Sequence, residues 1–318
     1  MLATIVLVLT ALAFAWSMGA HYTGACMGMP YATKSIALRP ALGLMAAMTL
    51  IGAAFLSHKV LVHVGHGILT GQLLVIPAII VIGVAFLLTT AFTQLRIPTS
   101  TIQILIFALG GAGLALGLGI NWLAILHLVV LWVLAPFIAC GLGFLFTKLF
   151  DHVPWSNASE SARLIGQALV LVGGVASLTM GANDVSNATA VFLTVHFSGP
   201  LLAGLIGGLG LAVGILTWGR PILERVAGFD VVKMDMKMAT AAQLVQALVV
   251  LTAVAFGYFT SMNQALIGAM AGTGLARGRQ TIDRKVMFGI GRGWIIGPGA
   301  GFILAYVGAW VYRAILGG

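Results

Sequence analysis

Three motifs occur twice in this chain, in the same order and at nearly the same spacing. The pairs are residues 18–26 with 180–188, 98–103 with 259–264, and Trp132-x-x-x-Pro136 with Trp294-x-x-x-Pro298. The offset is 162 residues for the first and third pairs (180 − 18 and 294 − 132) and 161 for the second (264 − 103). Matching interrupted apolar segments in two halves are the sequence pattern of a secondary transporter. We therefore predict two repeats, residues 1–150 and 151–318.

Composition restricts the fold class. The chain is 60% hydrophobic and only 7% charged, and its mean hydropathy is +1.10, which excludes a soluble domain. About ten apolar runs have roughly the 20-residue length that a membrane-spanning helix needs. The alternating ten-residue segments of a transmembrane barrel are absent. The prediction is an all-α polytopic membrane protein with five spans in each repeat and broken or re-entrant helices at the motifs.

Basic residues in the loops predict the orientation. With ten spans, most of them fall on one side, including Arg220, Lys233, Arg277 and Arg284, whereas Lys59 is plainly on the other. Because cytoplasmic loops carry the excess of Lys and Arg, both termini are predicted outside the cell membrane. Five spans per repeat is an odd number, so the second repeat enters the bilayer from the opposite face and the repeats are inverted.

Several function classes lack support in the sequence. The net charge of +9 comes from loop residues, so we predict no nucleic-acid partner. Cys26 and Cys140 indicate neither a disulfide framework nor a metal site. No Gly-Lys-Ser/Thr nucleotide-binding loop occurs, so we predict transport driven by ion gradients and no organic cofactor. An intramembrane enzyme would need a nucleophile with a base or a second catalytic Asp, and only one carboxylate lies at membrane depth, so we predict no enzyme activity. A channel and an intramembrane enzyme stay as alternatives, and a homodimer stays open.

One acidic residue lies in a repeated motif, and we predict that it binds the coupling ion. The other six acidic residues lie in loops or at their edges, whereas Asp184 follows span 6 beside Asn183, Ser186 and Asn187. An ionisable residue at membrane depth is costly unless paired, which makes it a functional candidate. Hard cations such as Na⁺ prefer oxygen ligands, which this segment supplies. The alternative is a polar cap at a helix end.

The hydroxyl-rich motif pair predicts an anion site. Hydroxyl groups followed by free backbone N–H groups at a helix start can bind an anion. Ordinary helix capping is the alternative, but capping needs only one hydroxyl. The repetition of the segment with both glutamines retained favours substrate contact. The predicted contacts are Ser100, Thr101, Gln103, Ser261, Asn263 and Gln264, together with Thr23 and Gly24 of the first motif.

The motifs resemble those of the inorganic phosphate transporter (Pit) family. Residues 181–188, Gly-Ala-Asn-Asp-Val-Ser-Asn-Ala, are similar to its signature, and residues 98–103 are similar to its Pro-x-Ser-Thr-Thr-His segment. The resemblance covers nearly the whole chain. It implies an inverted-repeat symporter for a tetrahedral inorganic oxyanion, in which the Asn and Asp residues of both copies hold coupling cations beside the anion.

The first copy departs from that pattern. His21, Tyr22 and Ala25 stand where Asn, Asp and Asn are expected, so one set of cation ligands is missing. This form resembles the sulfate permeases within the family. Sulfate carries two charges and cannot donate a hydrogen bond, so the loss of an acidic acceptor favours sulfate over phosphate. His21 and Tyr22 are poor sodium ligands, which favours H⁺ over Na⁺ as the coupling ion, with His21 as a candidate proton carrier.

Overall fold

The molecule is built from α-helices. A computed structural model describes residues 1–71, 73–95, 97–152, 158–195, 197–226, 232–278 and 281–316. The helices are α1 Leu2–His21, α2 Thr23–Ala32, α3 Leu38–Phe55, α4 His58–Gly67, α5 Val75–Gln94, α6 Thr101–Leu116, α7 Trp122–His152, α8 Ala158–Thr194, α9 Pro200–Val226, α10 Met236–Ala255, α11 Met262–Arg277 and α12 Arg284–Leu316. The described residues form no strand and only two isolated bridges between loops. The all-α prediction is confirmed.

Within the described residues, eight helical stretches are long and apolar enough to cross a membrane, with α1 and α2 counted as one. The other two predicted spans are α6 and α11, with 16 residues each. That is shorter than the roughly 20 residues that a complete span needs. Both helices are almost wholly buried. They are therefore short central helices surrounded by the long ones. The ten-residue helix α4 was not predicted at all.

The first motif interrupts its helix and the second does not. The backbone leaves the helix at Tyr22, between α1 and α2, whereas α8 continues for 37 residues through the whole second motif. The predicted break at the second motif is therefore wrong. Ser186 forms its hydrogen bond without releasing the backbone, because its hydroxyl donates to the Asn183 carbonyl in the same helix (2.9 Å).

Helix boundaries recur at the spacing of the motifs. Helix α9 begins 162 residues after α3 (200 − 38), and α12 begins 162 after α7 (284 − 122). The corresponding distance is 161 residues for α10 after α5 (236 − 75) and for α11 after α6 (262 − 101). The predicted linker at 150–161 includes residues 153–157, which lie outside the described residues.

The main helix contacts join the first half of the chain to the second. Helix α6 packs along α12, and its counterpart α11 packs along α7. In the same way, α1 packs on α9 and α3 packs on α8. Buried residues of both halves contribute to one continuous core. Residues 1–150 and 151–318 are therefore interlocked and do not pack as separate domains.

Two counterpart glycines bring the motif helices against their neighbours. A Cβ atom on Gly19 would overlap the carbonyl oxygen of Leu211 in α9. A Cβ atom on Gly181 would overlap the carbonyl oxygen of Thr49 in α3. Small residues allow such close backbone approach in membrane proteins, where apolar side chains gain little from associating. Each glycine stands two residues before a motif side chain, so this packing fixes the position of both motifs.

Candidate functional site

Four chain segments meet at the centre of the molecule. They are the junction of α1 and α2, the middle of α8, and the starts of the short helices α6 and α11. Their polar side chains are almost completely excluded from solvent, and the predicted residues among them are His21, Thr23, Ser100, Thr101, Gln103, Asn183, Asp184, Ser186, Asn187, Ser261, Asn263 and Gln264. The structure therefore brings nearly all of the predicted residues into one buried region.

In each half, a motif side chain contacts the backbone just before a short helix. Asn183 donates from Nδ2 to the Thr260 carbonyl (2.9 Å) and accepts at Oδ1 from the Thr260 N–H (3.1 Å). In the other half, His21 Nε2 lies 3.4 Å from the Thr99 nitrogen and 3.3 Å from the Thr99 oxygen. Imidazole thus takes the place of the amide as a brace for the backbone before α6.

Both ring nitrogens of His21 are engaged. The Thr93 hydroxyl donates to the Thr89 carbonyl (2.7 Å), so it accepts from His21 Nδ1 (2.8 Å). Nε2 is then the acceptor for the Thr99 N–H and for Asn263 Nδ2 (3.3 Å). The network therefore assigns the neutral tautomer with its proton on Nδ1. This arrangement makes His21 a structural brace, and its proposed proton-carrying role stays a prediction.

Asp184 is fully buried, and no described basic residue pairs with it. Its Oδ1 accepts from Asn187 Nδ2 (3.3 Å), and that amide also donates to the Thr101 hydroxyl (2.9 Å). Asp184 Oδ2 and Asn187 Oδ1 have no hydrogen-bond partner among the described residues. A buried, uncompensated carboxylate is strongly destabilising. The oxygen atoms that lack partners fit a small monovalent cation, which would supply the missing charge.

Tyr22 belongs to this cluster, although the sequence reasoning gave it no site role. Its hydroxyl lies 2.9 Å from the Thr101 hydroxyl, the same group that receives the Asn187 amide. Its position 162 residues before Asp184 (184 − 22) is the signal that identifies it in the sequence. Ser186, by contrast, uses its hydroxyl proton on the Asn183 carbonyl.

The counterpart of the Asp184 cluster contains no equivalent ligand. At the repeat spacing, Asp184, Asn187 and Thr101 correspond to Tyr22, Ala25 and Met262. A carboxylate, an amide and a hydroxyl are thus replaced by a phenol, a methyl group and a thioether. The three positions change together, so the molecule keeps one set of oxygen ligands.

The hydroxyl groups at the starts of α6 and α11 also differ between the halves. Ser261 caps α11, because its oxygen accepts from the Gln264 N–H (3.3 Å). Ser100 makes no such bond at the start of α6, and its buried oxygen has no partner. The hydroxyls of Thr99 and Thr260 are likewise buried without a partner. Capping therefore accounts for Ser261 and leaves three hydroxyl groups free for a ligand.

Two glutamines, one from each short helix, bind each other. Gln103 Nε2 donates to Gln264 Oε1 (3.0 Å), and Gln264 Nε2 lies 3.4 Å from Gln103 Oε1. The pair joins the first turns of α6 and α11, where helix N-termini present backbone N–H groups that favour anions. Asn263 stands beside it and donates to the Thr99 carbonyl (2.7 Å).

Two residues predicted for the anion site have other surroundings. The Thr23 hydroxyl donates to the backbone carbonyls of Ala20 and Gly219 (both 2.9 Å). These bonds fix α2 against α9, and within the described part of the chain they are the hydrogen bonds of this hydroxyl. Gly24 is buried in α2 without a side chain to offer. Their roles in substrate binding stay predictions.

Comparison with known proteins agrees with this architecture. The model of the phosphate transporter family matches residues 18–305. The sulfate permease CysP of Bacillus subtilis is 28% identical over 309 residues, which cover 94% of this chain and 85% of that protein. A probable low-affinity inorganic phosphate transporter of Mycobacterium bovis is 29% identical over 290 residues, which cover 86% and 69%.

The fold has also been seen in a solved structure, described as the sodium-dependent phosphate transporter. The two structures agree with a TM-score of 0.89, covering 99% of this chain and 100% of the other at 21% sequence identity. At that identity the likeness concerns the fold. The family match spans most of the chain and includes every residue of the buried site. The chain is thus a multi-pass membrane protein and not an enzyme, and it belongs to the phosphate transporter family.

Proposed function

We propose that the protein is a secondary active symporter that carries a tetrahedral inorganic oxyanion, with sulfate ahead of phosphate, into the cell across the plasma membrane. The observation that carries the proposal is the buried, unpaired Asp184 with its unsatisfied oxygen neighbours, close to two helix N-termini with free hydroxyl groups. A cation at the Asp184 carboxylate and an anion at the helix starts would then be bound near each other at the centre of the protein.

The anion site consists of the starts of α6 and α11. Ser100 and the threonines beside the two helix starts offer hydroxyl groups that lack partners. Backbone N–H groups of the first helical turns and the amides of Gln103 and Gln264 supply further donors. Anion binding requires the two glutamines to exchange their mutual bond for bonds to the oxyanion. Sulfate is favoured because Tyr22 replaces a carboxylate, which removes an acceptor that a protonated phosphate would use.

The coupling ion is Na⁺, bound once per transport cycle. Asp184 Oδ2 and Asn187 Oδ1 supply the unsatisfied oxygen ligands, which Na⁺ prefers. The relative with the same fold is described as sodium-dependent. Both nitrogens of His21 are engaged in bracing bonds, which weakens the earlier expectation of proton coupling. The counterpart residues Tyr22 and Ala25 offer no second site.

The two halves act as inverted repeats. The recurrence of helix starts and the exchanged packing of α6 and α11 support two equivalent units. Five spans per unit then give opposite orientations, and the excess of basic loop residues on one side orients both termini outside. Movement of one unit against the other would expose the central site alternately to the two faces.

Uptake into proteoliposomes tests the proposal. We expect accumulation of labelled sulfate against its gradient when an inward Na⁺ gradient is applied without a pH gradient. Phosphate, molybdate and thiosulfate are added as competitors, and the strongest competitor identifies the preferred anion. Accumulation driven by a pH gradient without Na⁺ would replace the sodium assignment by proton coupling. Anion flux that only follows its own gradient would make the protein a channel.

A further inference from the structure

A cavity between α4, α5, α6 and α8 leads to Asn187. Its volume is about 50 Å³. One water molecule needs roughly 10–15 Å³ on this measure, so a few water molecules fit. The walls are mostly apolar and include Val64 of α4, Val81 of α5, Leu105 of α6 and Ala190 of α8. The only described polar side chains that line it are Ser186 and Asn187.

The polar part of the cavity lining, Ser186 and Asn187, suits a cation and not an anion. The Asn187 amide nitrogen is used by Thr101 and Asp184, while its carbonyl oxygen has no partner, and the residue is only 2% exposed. The Ser186 hydroxyl donates to the backbone. Among the described residues that line the cavity, none is basic. The free polar group is therefore an acceptor oxygen, beside the Asp184 carboxylate.

The counterpart position in the other half is different. Ile82 in the cavity wall corresponds to Gln243 of α10 (243 − 82 = 161, the spacing of α5 and α10), and Asn187 corresponds to Ala25. Gln243 is fully buried, and its Nε2 donates to the Ala25 carbonyl oxygen (3.0 Å). A hydrogen-bonded amide thus stands in the second half where the first half has an apolar cavity wall.

We propose that this cavity is the route by which the coupling cation reaches Asp184 and Asn187, separate from the anion site at the starts of α6 and α11. The cation moves with a few water molecules past walls that do not retain it and stops at the unsatisfied oxygens. The absence of basic and free N–H groups from the described lining keeps the oxyanion out. This inference rests on the proposed coupling role of Asp184.

Silver ions test the route. Ag⁺ is a monovalent cation that forms a sulfur–silver bond with a cysteine thiol and releases the thiol proton. Ala78 lines the cavity, and its counterpart Ala239 lies in α10 (239 − 78 = 161); both are buried, at 1% and 0% exposure. Ala78→Cys and Ala239→Cys are made in a Cys140→Ala background, which keeps the fully buried Cys26. The unsubstituted background gives the blank rate.

We expect Ag⁺ to consume the thiol of Ala78→Cys about ten times faster than that of Ala239→Cys, a difference that reflects access to the two sites. Na⁺ should slow the reaction at Ala78→Cys, whereas sulfate alone should not. The readout is the thiol that remains for a maleimide after denaturation, so it does not depend on transport. Ala190 also lines the cavity, three residues after Asn187 in α8. Ala190→Cys undergoes the same test and replaces Ala78→Cys if that variant does not fold.

Two results would overturn the route: equal reaction rates at the two counterpart positions, or fast reaction at the cavity that Na⁺ does not slow. If Asp184→Asn abolishes sodium-driven uptake but Na⁺ gives no protection in the cavity, the cation enters elsewhere and the proposed function stands. If wild-type uptake proves independent of Na⁺, the proposed function fails and the cavity loses its assigned ligand.

Discussion

The two halves of this molecule share a framework and differ in chemistry. In both, a motif side chain holds the backbone before a short helix, through Asn183 on Thr260 and through His21 on Thr99. In the second half, the next positions carry an unpaired carboxylate and an amide; in the first half, they carry Tyr22 and Ala25. The brace is therefore a requirement of the fold, since imidazole and amide both satisfy it, whereas the ion ligands were free to change.

The serines at the starts of the two short helices also differ, and here the serine without a hydrogen bond lies in the first half. The second half uses Ser261 as an ordinary cap, and the first half leaves the Ser100 hydroxyl without a partner. The unsatisfied polar groups thus include Asp184 and Asn187 from the second half and Ser100 from the first. A single composite site, assembled from both halves, follows from this distribution. Each prediction below changes one side of the comparison and uses the counterpart residue as its control.

The largest effect is expected from Asp184→Asn. The amide has nearly the same shape as the carboxylate but carries no charge, so it cannot hold the coupling cation, and coupled uptake should be abolished. The protein should still fold, because the change removes an uncompensated buried charge. Uptake into proteoliposomes and thermal unfolding in detergent measure the two properties.

Tyr22→Phe is the matched control at the counterpart position. It removes one neutral hydrogen bond to Thr101, which is worth about 0.5–1.5 kcal/mol, so uptake should persist at a reduced rate. Wild-type uptake by Asp184→Asn under the same ion gradients would remove the carboxylate from the mechanism.

The second prediction introduces the ligands of the Asp184 cluster at their counterpart positions, two in the first half and one in the second. The triple variant Tyr22→Asp, Ala25→Asn, Met262→Thr restores the carboxylate, the amide and the hydroxyl at their counterpart positions. A second sodium site should form, and the Hill coefficient for activation by Na⁺ should rise from about 1 towards about 2. The dependence of the initial uptake rate on Na⁺ concentration measures it.

Tyr22→Asp alone, which lacks the other two ligands, is the control and should keep a Hill coefficient of about 1. A wild-type coefficient that is already near 2 would contradict the assignment of one cation per cycle.

Much of this fold could be predicted from the sequence, because apolar runs and repeated motifs report directly on membrane helices. All ten predicted runs are helical. Helix α4 was missed because ten residues with three histidines lack the length and hydropathy of a span. The continuity of α8 was missed because a polar motif can remain helical when other segments of the chain form hydrogen bonds with its side chains. No local sequence pattern reports such contacts.

The sequence predicted which residues belong to the site, but not which of them form hydrogen bonds with each other. Asp184 and the residues around it follow from charge and repetition. That Ser261 is a cap and Ser100 is not depends on side-chain geometry, which two nearly identical motifs cannot distinguish. Tyr22 was given no site role because a phenol is a poor sodium ligand, yet the side chain is long enough for its hydroxyl to reach Thr101 in the Asp184 cluster. Long-range contacts of this kind require the three-dimensional structure.

The third prediction separates the two serines. Ser100→Ala removes a free hydroxyl that is available to a charged ligand; such a bond is worth about 1.5–3 kcal/mol, so the KM for the anion should rise by about tenfold or more. Ser261→Ala removes a helix cap instead, which costs roughly 0.5–2 kcal/mol of stability. It should lower the thermal unfolding temperature and change the KM less. Equal changes in KM for both variants would show that the serines contribute equally to the anion site.

The smallest effect is expected from His21→Asn, which gives the first half the brace that the second half already has. The asparagine amide can donate to the Thr99 carbonyl and accept from the Thr99 N–H, as Asn183 does at Thr260. The bond to Thr93 is lost, at a cost of about 0.5–1.5 kcal/mol. Uptake should therefore fall by only a few fold, and its dependence on pH should match that of the wild type. His21→Ala, which removes the contacts of the ring with both Thr93 and Thr99, is the control and should lower uptake more than His21→Asn does. If His21→Asn instead abolished a pH dependence present in the wild type, the imidazole would carry a proton during transport, and the two braces would be equivalent in structure but not in function.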